Sequence, residues 1–140
     1  PILHKDGTAQ WRSRYDERGN EIERAFLGVD GKPIRNKDGY AQQRSRFDDR
    51  DNEIERVYFG VDGKPVLHKD GYAQGRSRYD ERGNEIETAY FGVDGKPVLH
   101  KDGYTLRQTR FDERGIKVET IYLGLDGKPV ANRGTSIENP

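Results

Sequence analysis

The segment PVLHKDGYAQGRSRYDERGNEIETAYFGVDGK at residues 65–96 decides the fold, because near-copies of it make up most of the chain. Four gapless units of this length cover residues 1–32, 33–64, 65–96 and 97–128, and each opens on a proline. The first and third units agree at 26 of 32 positions. Residues 129–140 begin a partial fifth unit and end in the polar tail TSIENP. The chain is therefore a tandem repeat.

Each unit contains three turn signals that combine aspartate with glycine. In the third unit they are HKDG at 68–71, DERGN at 80–84 and GVDGK at 92–96. Glycine supplies the positive φ of hairpin turns, and aspartate bonds to its own backbone. In the second unit Asp51 replaces the turn glycine, and aspartate is one of the few other residues that tolerates this conformation. The intervening runs alternate with a period of two, which predicts strands at Tyr72–Tyr79, Glu85–Phe91 and Pro97–His100.

A four-residue ERGN loop would place Arg78 opposite Glu87 and Tyr79 opposite Ile86. The same register in every unit predicts a structural ladder of ion pairs: Arg14–Glu23, Arg46–Glu55, Arg78–Glu87 and Arg110–Glu119. On the other face it predicts a core stripe: Tyr15/Ile22, Phe47/Ile54, Tyr79/Ile86 and Phe111/Val118.

The run from Ala89 to Phe91 is apolar on both faces, so we expect the neighbouring unit to cover its second side. Repeat proteins gain their stability from such nearest-neighbour contacts. The predicted fold is all-β, with tandem β-hairpins stacked into an elongated ribbon, solenoid or superhelix. Strand edges left open at the ends of such an array can pair with another copy, head to tail.

Two short motifs carry family resemblances. RYDERGNEIE resembles the core of bacterial tyrosine–aspartate (YD, or RHS-type) repeats, and YFGVDGKPV is similar to the hairpin of bacterial cell-wall- or choline-binding repeats. Both resemblances imply successive β-hairpins on large secreted or surface proteins. The 32-residue period is longer than the usual unit of either family, and Trp11 is the only tryptophan. The resemblance therefore implies an architecture but no ligand.

The composition excludes several classes of partner. The chain has 25 Lys and Arg against 25 Asp and Glu, so it lacks the basic excess that nucleic-acid binders need. Its sequence has no apolar stretch long enough for membrane insertion. It contains no cysteine and no methionine. These features leave the compartment open, although the resemblances favour a cell-surface or extracellular segment of a longer bacterial protein.

No pattern in the sequence points to catalysis, a metal or a cofactor. His4, His68 and His100 share one turn position, where the second unit has Asn36, and no second metal ligand accompanies them. Turn chemistry accounts for the aspartates better than a calcium site. Paired carboxylates such as Glu85 and Glu87 recur in nearly every unit, which indicates an ion-pair lattice. We therefore expect that the chain is not an enzyme and binds no cofactor.

The remaining candidates for a ligand or partner face are aromatic. Tyr40, Tyr72 and Tyr104 are equivalent, and strand alternation would place them on the arginine face, as in sugar-binding surfaces. The competing interpretation is that their rings pack on the next unit. A variable column, expected to face solvent, could tune specificity: Trp11, Gln43, Gly75 and Arg107.

The sequence thus favours a non-enzymatic structural or interaction segment acting as spacer, fibre segment or scaffold, with protein partners or self-association. A carbohydrate-binding repeat that uses a tyrosine and arginine face is one alternative. A consensus-designed repeat protein is another, suggested by the near-identity of the units.

Overall fold

A computed structural model describes Thr8, residues 10–130 and residues 135–137. Within these residues nine strands form one antiparallel sheet in which sequence neighbours are spatial neighbours. The strands are β1 (Gln10–Tyr15), β2 (Glu21–Leu27), β3 (Gln42–Phe47), β4 (Glu53–Phe59), β5 (Gln74–Tyr79), β6 (Glu85–Phe91), β7 (Leu106–Phe111), β8 (Lys117–Leu123) and β9 (Thr135–Ile137). The predicted all-β fold of tandem hairpins is confirmed, as one open sheet of consecutive hairpins.

One predicted strand is wrong. The run Pro97–His100 contributes an isolated bridge between Phe91 and Pro97 and a hydrogen bond from the Val98 N–H to the Tyr90 carbonyl (3.1 Å), but no continuous strand. The turns on either side of this run are too close together to leave room for a ladder. In the described residues no helix is long and apolar enough to cross a membrane.

All three turns of a unit close in the same way. In the first described turn, the Asp16 N–H donates to the Asn20 carbonyl (2.9 Å) and the Gly19 N–H donates to the Asp16 carbonyl (3.1 Å). The turns that begin at Gly28 and at Asn36 repeat both bonds. This closure needs a positive φ at its fourth residue, which glycine usually supplies. Asp51 adopts it at φ 67°, as the sequence predicts.

A β-bulge corrects the predicted register on one side of each hairpin. Arg14 lies opposite Glu23 as predicted, but Tyr15 lies opposite Glu21, so Ile22 is an extra residue in its strand. The same shift recurs beside Phe47, Tyr79 and Phe111. The bulge lets Glu21 accept a hydrogen bond from the Ser13 hydroxyl (2.7 Å). The predicted opposition of Tyr15/Ile22, Phe47/Ile54, Tyr79/Ile86 and Phe111/Val118 is therefore wrong.

The core also lies elsewhere than predicted. Tyr15 is 61% exposed, whereas Tyr58 and Tyr104 are 6% and 5% exposed. Seven rings form a continuous aromatic stack in which strand residues alternate with residues of the inter-unit connections: Phe26, Tyr40, Tyr58, Tyr72, Tyr90, Tyr104 and Tyr122. Successive ring centroids are 4.5 to 6.0 Å apart, the separation of favourable aromatic pairs.

The aromatic stack joins one unit to the next. Tyr58 contacts Tyr40 of its own unit at 4.6 Å and Tyr72 of the following unit at 6.0 Å. Tyr90 repeats the arrangement with Tyr72 and Tyr104. The following unit thus contacts the two-sided apolar run on the face of Tyr90, whereas Ala89 and Phe91, on the other face, line a surface depression.

Turns stack on turns along the same direction. The Lys69 N–H donates to the Asp38 carbonyl (2.8 Å), and the Lys69 Nζ lies 3.1 Å from the Asp38 carboxylate. Lys101 makes both contacts with Asp70 one unit later. Backbone and side chain therefore hold successive units at a fixed spacing.

We expect Tyr72→Ala to lower the free energy of unfolding by roughly 3 kcal/mol, because it removes a ring that contacts two units. Tyr72→Phe keeps the ring and should cost much less. The matched control is Tyr15→Ala, which should change stability by no more than about 0.5 kcal/mol. Urea denaturation measures all three. Equal losses for Tyr72→Ala and Tyr15→Ala would contradict the assignment of the core.

Candidate functional site

One face of the sheet, here called the arginine face, carries the ion-pair ladder. Each predicted arginine lies directly opposite its glutamate in the sheet register. The closest nitrogen–oxygen distances are 3.0 Å for Arg14–Glu23, 3.5 Å for Arg46–Glu55, 3.6 Å for Arg78–Glu87 and 3.9 Å for Arg110–Glu119. The four arginine side chains are 68–70% exposed, so these pairs contribute little to stability and mainly favour one register.

Three of the ladder glutamates, Glu23, Glu55 and Glu87, also contact the following unit, which sequence reasoning missed. Glu55 lies 3.4 Å from Arg76 and accepts a 2.9 Å hydrogen bond from Gln74. Glu23 repeats the pattern with Gln42 at 2.7 Å and Arg44 at 4.0 Å. The sequence signal that could have predicted these contacts is the spacing of Gln and Arg two residues apart, which places both on the same face of the strand. The ladder therefore runs across unit boundaries.

The arginine face contains shallow depressions with apolar floors. One of about 630 Å³ is lined by Arg14, Arg44 and Arg46 around Ile22 and Phe47. Another of about 690 Å³, one unit later, is lined by Arg46, Arg76 and Arg78 around Ile54 and Phe91. The Arg76 guanidinium lies 4.9 Å from the centroid of the Phe91 ring, which holds the charge above an apolar surface. The face offers exposed cationic groups beside apolar contacts at the spacing of the repeat.

The tyrosines proposed as a ligand face lie on the other side of the sheet. Tyr40, Tyr72 and Tyr104 belong to the aromatic stack, and Tyr104 is only 5% exposed. Their expected position on the arginine face is wrong, because they precede the strands and strand alternation does not orient them. Trp11 is 53% exposed, with the Arg24 guanidinium 5.8 Å from its ring centroid.

The variable column does not face solvent throughout. Gln43 is 9% exposed and its Oε1 accepts a hydrogen bond from the Tyr40 hydroxyl (3.1 Å). The Arg107 side chain is 34% exposed and contacts Glu85 at 2.5 Å. Both residues lie on the face of the aromatic stack, beside the boundary between two units. At these two positions the sequence variation therefore occurs at an internal contact.

The described histidines are buried turn residues that also join the aromatic stack. The His68 ring lies 4.3 Å from Tyr58 and 4.2 Å from Tyr72, and its Nδ1 accepts the Asp70 N–H at 2.9 Å. His100 is placed likewise, and His4 lies outside the described residues. In the second unit the Asn36 Oδ1 accepts the Asp38 N–H at 3.0 Å. Asparagine can therefore replace histidine because both supply the acceptor that the turn needs.

The turn aspartates also serve the backbone. Asp16 accepts hydrogen bonds from the Asn20 and Arg18 N–H groups, both at 2.9 Å. These bonds, with that of Asn20 the stronger, hold the pKa of Asp16 below its ordinary value. Asp48, Asp80 and Asp112 repeat the arrangement. Across Thr8, 10–130 and 135–137, no group of three or more His, Cys, Asp or Glu side chains is placed to bind a metal ion.

Burial lowers the pKa of His68, against the attraction of Asp70 and Asp38, and no hydrogen-bond partner of its Nε2 is found in the described part of the chain. The unfolded state therefore takes up a proton more readily near pH 6.5, so His68 reduces stability as the pH falls below that value. Protonation at Nδ1 would also abolish the bond from the Asp70 N–H.

We expect His68→Asn to make the stability less dependent on pH, since asparagine keeps the acceptor but cannot titrate. The free energy of unfolding, measured in urea at pH 7.5 and pH 5.0, should fall less in the variant than in the parent chain. His68→Ala is the control that removes both the acceptor and the ring. Equal falls in the parent and in His68→Asn would contradict the role of His68.

Comparison with protein-family models finds no matching family. Comparison with curated proteins finds no match either. The resemblance to tyrosine–aspartate and choline-binding repeats therefore stays a hypothesis based on short motifs.

Proposed function

We propose that the chain is a non-enzymatic structural segment: an extensible β-sheet spacer or scaffold within a longer protein of the bacterial surface or secretome. One observation carries the proposal. The junction between units recurs with one register, Glu23 opposite Arg44, Glu55 opposite Arg76 and Glu87 opposite Gln108. Because each junction uses only adjacent strands, a unit can be inserted without disturbing the others.

The geometry gives the scaffold a defined length per unit. Neighbouring strands are about 4.8 Å apart, so each two-stranded unit extends the sheet by about 10 Å. Length then scales with the number of units, as a spacer requires. The ladder glutamates and the aromatic stack resist slippage between units, because a shift by one residue would reverse every side chain.

Inserting one or two further copies of residues 33–64 directly after residue 64 tests this proposal in the full chain. The maximum dimension from small-angle X-ray scattering should grow by about 10 Å per copy, and the melting temperature should not fall. A maximum dimension that stays constant as units are added would contradict an extensible sheet.

The arginine face favours a second candidate, a docking surface for an acidic polysaccharide. Strands β1–β8 place seven arginines but only four glutamates on this face: Arg12, Arg14, Arg44, Arg46, Arg76, Arg78 and Arg110 against Glu23, Glu55, Glu87 and Glu119. The excess of positive charge and the apolar floors suit a polymer of anionic sugars, whose repeat could meet one depression after another. This candidate differs from the carbohydrate-binding face predicted from the sequence, because it uses the exposed arginines but not the tyrosines of the aromatic stack.

Polyuronate binding tests this second candidate, with neutral dextran as the comparison polymer. We expect Arg44→Gln/Arg76→Gln to weaken polyuronate binding at least about tenfold, or 1.4 kcal/mol, and the affinity to fall with salt. Lys64→Gln/Lys96→Gln removes the same charge from exposed turns and should leave binding nearly unchanged. Equal effects of the two double variants, or no binding by the parent chain, would sink the candidate.

A further inference from the structure

A second set of cross-strand pairs crosses each unit boundary on the face of the aromatic stack. These boundary pairs differ from junction to junction, whereas most of the unit is repeated. They are Arg24–Gln43, Arg56–Gly75 and Thr88–Arg107, each directly opposed in the sheet register. Each lies beside one glutamate of the bulged strand start: Glu21, Glu53 and Glu85. Each of these three boundaries therefore holds one arginine and one glutamate, although the arginine changes strand.

At the second boundary the arginine comes from the earlier unit. The Arg56 Nη2 lies 2.9 Å from the Glu53 carboxylate, and its Nε donates to the same oxygen at 3.2 Å. Burial opposes the charge of Arg56, but Glu53 more than offsets this and raises its pKa. Opposite it, Gly75 carries no side chain, and a Cβ added there would meet only the Tyr72 ring, at 3.6 Å. A longer side chain at Gly75 would extend towards the guanidinium.

At the third boundary the arginine comes from the later unit. The Arg107 Nη2 donates to the Glu85 carboxylate at 2.5 Å and to the Thr88 hydroxyl at 3.3 Å. Thr88 itself donates to Glu85 at 2.5 Å. Thr88 occupies the position equivalent to Arg56, and Arg107 the position equivalent to Gly75. The third boundary thus lacks the arginine of the earlier strand, and Arg107 of the later strand supplies the guanidinium that pairs with Glu85.

The first boundary uses a neutral polar partner. The Arg24 Nη2 lies 3.0 Å from Glu21, and Gln43 directs its Oε1 to the Tyr40 hydroxyl at 3.1 Å. Glutamine is therefore compatible with an opposing arginine. Two opposing arginines would place like charges next to each other, and an arginine-free pair would leave a half-buried glutamate without its cation; both cost stability.

We propose that the boundary pair is a matching code that decides which unit can follow which. A unit with arginine at this position of its second strand accepts a following strand with glycine or glutamine at the paired position. A unit with threonine there, and glutamate at the start of the same strand, requires arginine at the paired position. Where Lys117 replaces that glutamate, Thr120 lies opposite Ser136 and no arginine is required. The partner of each coded edge is the first strand of another unit of this chain. This inference builds on the scaffold function, because it supplies the order in which the units join.

A double-mutant cycle in the full chain tests the code at the second boundary. Gly75→Arg should favour unfolding about tenfold, since Arg56 then faces a second arginine, and Arg56→Thr should do the same by removing the cation of Glu53. The double variant Arg56→Thr/Gly75→Arg reproduces the Thr88–Arg107 pair. We expect its unfolding constant to return to within about threefold of the parent value.

Gly75→Gln is the matched control, because it adds a side chain without charge and reproduces the Arg24–Gln43 pair. It should be tolerated where Gly75→Arg is not. If Gly75→Arg fails to fold, recovery of folding in the double variant Arg56→Thr/Gly75→Arg supports the code in the same way. Additive effects of Arg56→Thr and Gly75→Arg, or equal losses for Gly75→Gln and Gly75→Arg, would overturn the code. The cycle is read from unfolding alone, so its outcome is separate from whether added units lengthen the particle.

Discussion

Each of the first three units completes the burial of its strand aromatic ring with a ring from the following unit. Tyr58 lies between Tyr40 and Tyr72, and Tyr90 lies between Tyr72 and Tyr104. The sequence is only 31% hydrophobic, and the buried apolar residues of the described chain are few. The rings supply the largest apolar surfaces at the boundaries, so the fold depends on them. The array is stable because its units are adjacent, and a separated unit would lose the ring contacts that cross its boundaries.

The polar contacts have a different role. The arginines of the ladder are largely exposed, so individual pairs add little free energy. They repeat in each of the four hairpins of β1–β8, however, and a one-residue slip would place them on the opposite face. The half-buried boundary arginines are more discriminating, because Arg56 and Arg107 each meet a glutamate within 3 Å. Burial of rings thus stabilises the sheet, and charge selects its register and order.

Much of the fold could be predicted from the sequence, because turn chemistry is local. Glycine or aspartate at a positive φ marks each reversal, and the strand Glu85–Phe91 has the predicted bounds. Counting outwards from the turn also predicts Arg78 opposite Glu87. The bulge at Ile22 could not be predicted in this way, because a count of loop residues does not reveal an extra residue within a strand. The aromatic stack was missed because Tyr72 lies in a connection, where alternation along a strand gives no direction.

Native-state hydrogen exchange tests most directly whether the units share one cooperative sheet. The Tyr58 N–H donates to the Ala73 carbonyl and the Tyr90 N–H to the Thr105 carbonyl, both across a unit boundary at 2.9 Å. A shared sheet predicts that these amides are protected from exchange as strongly as the amides that bond β5 to β6 within one hairpin. Exchange of the boundary amides at the rate of exposed turns, with the hairpin amides still protected, would contradict it. Such a result would mean that the hairpins fold independently and are connected only by the covalent chain.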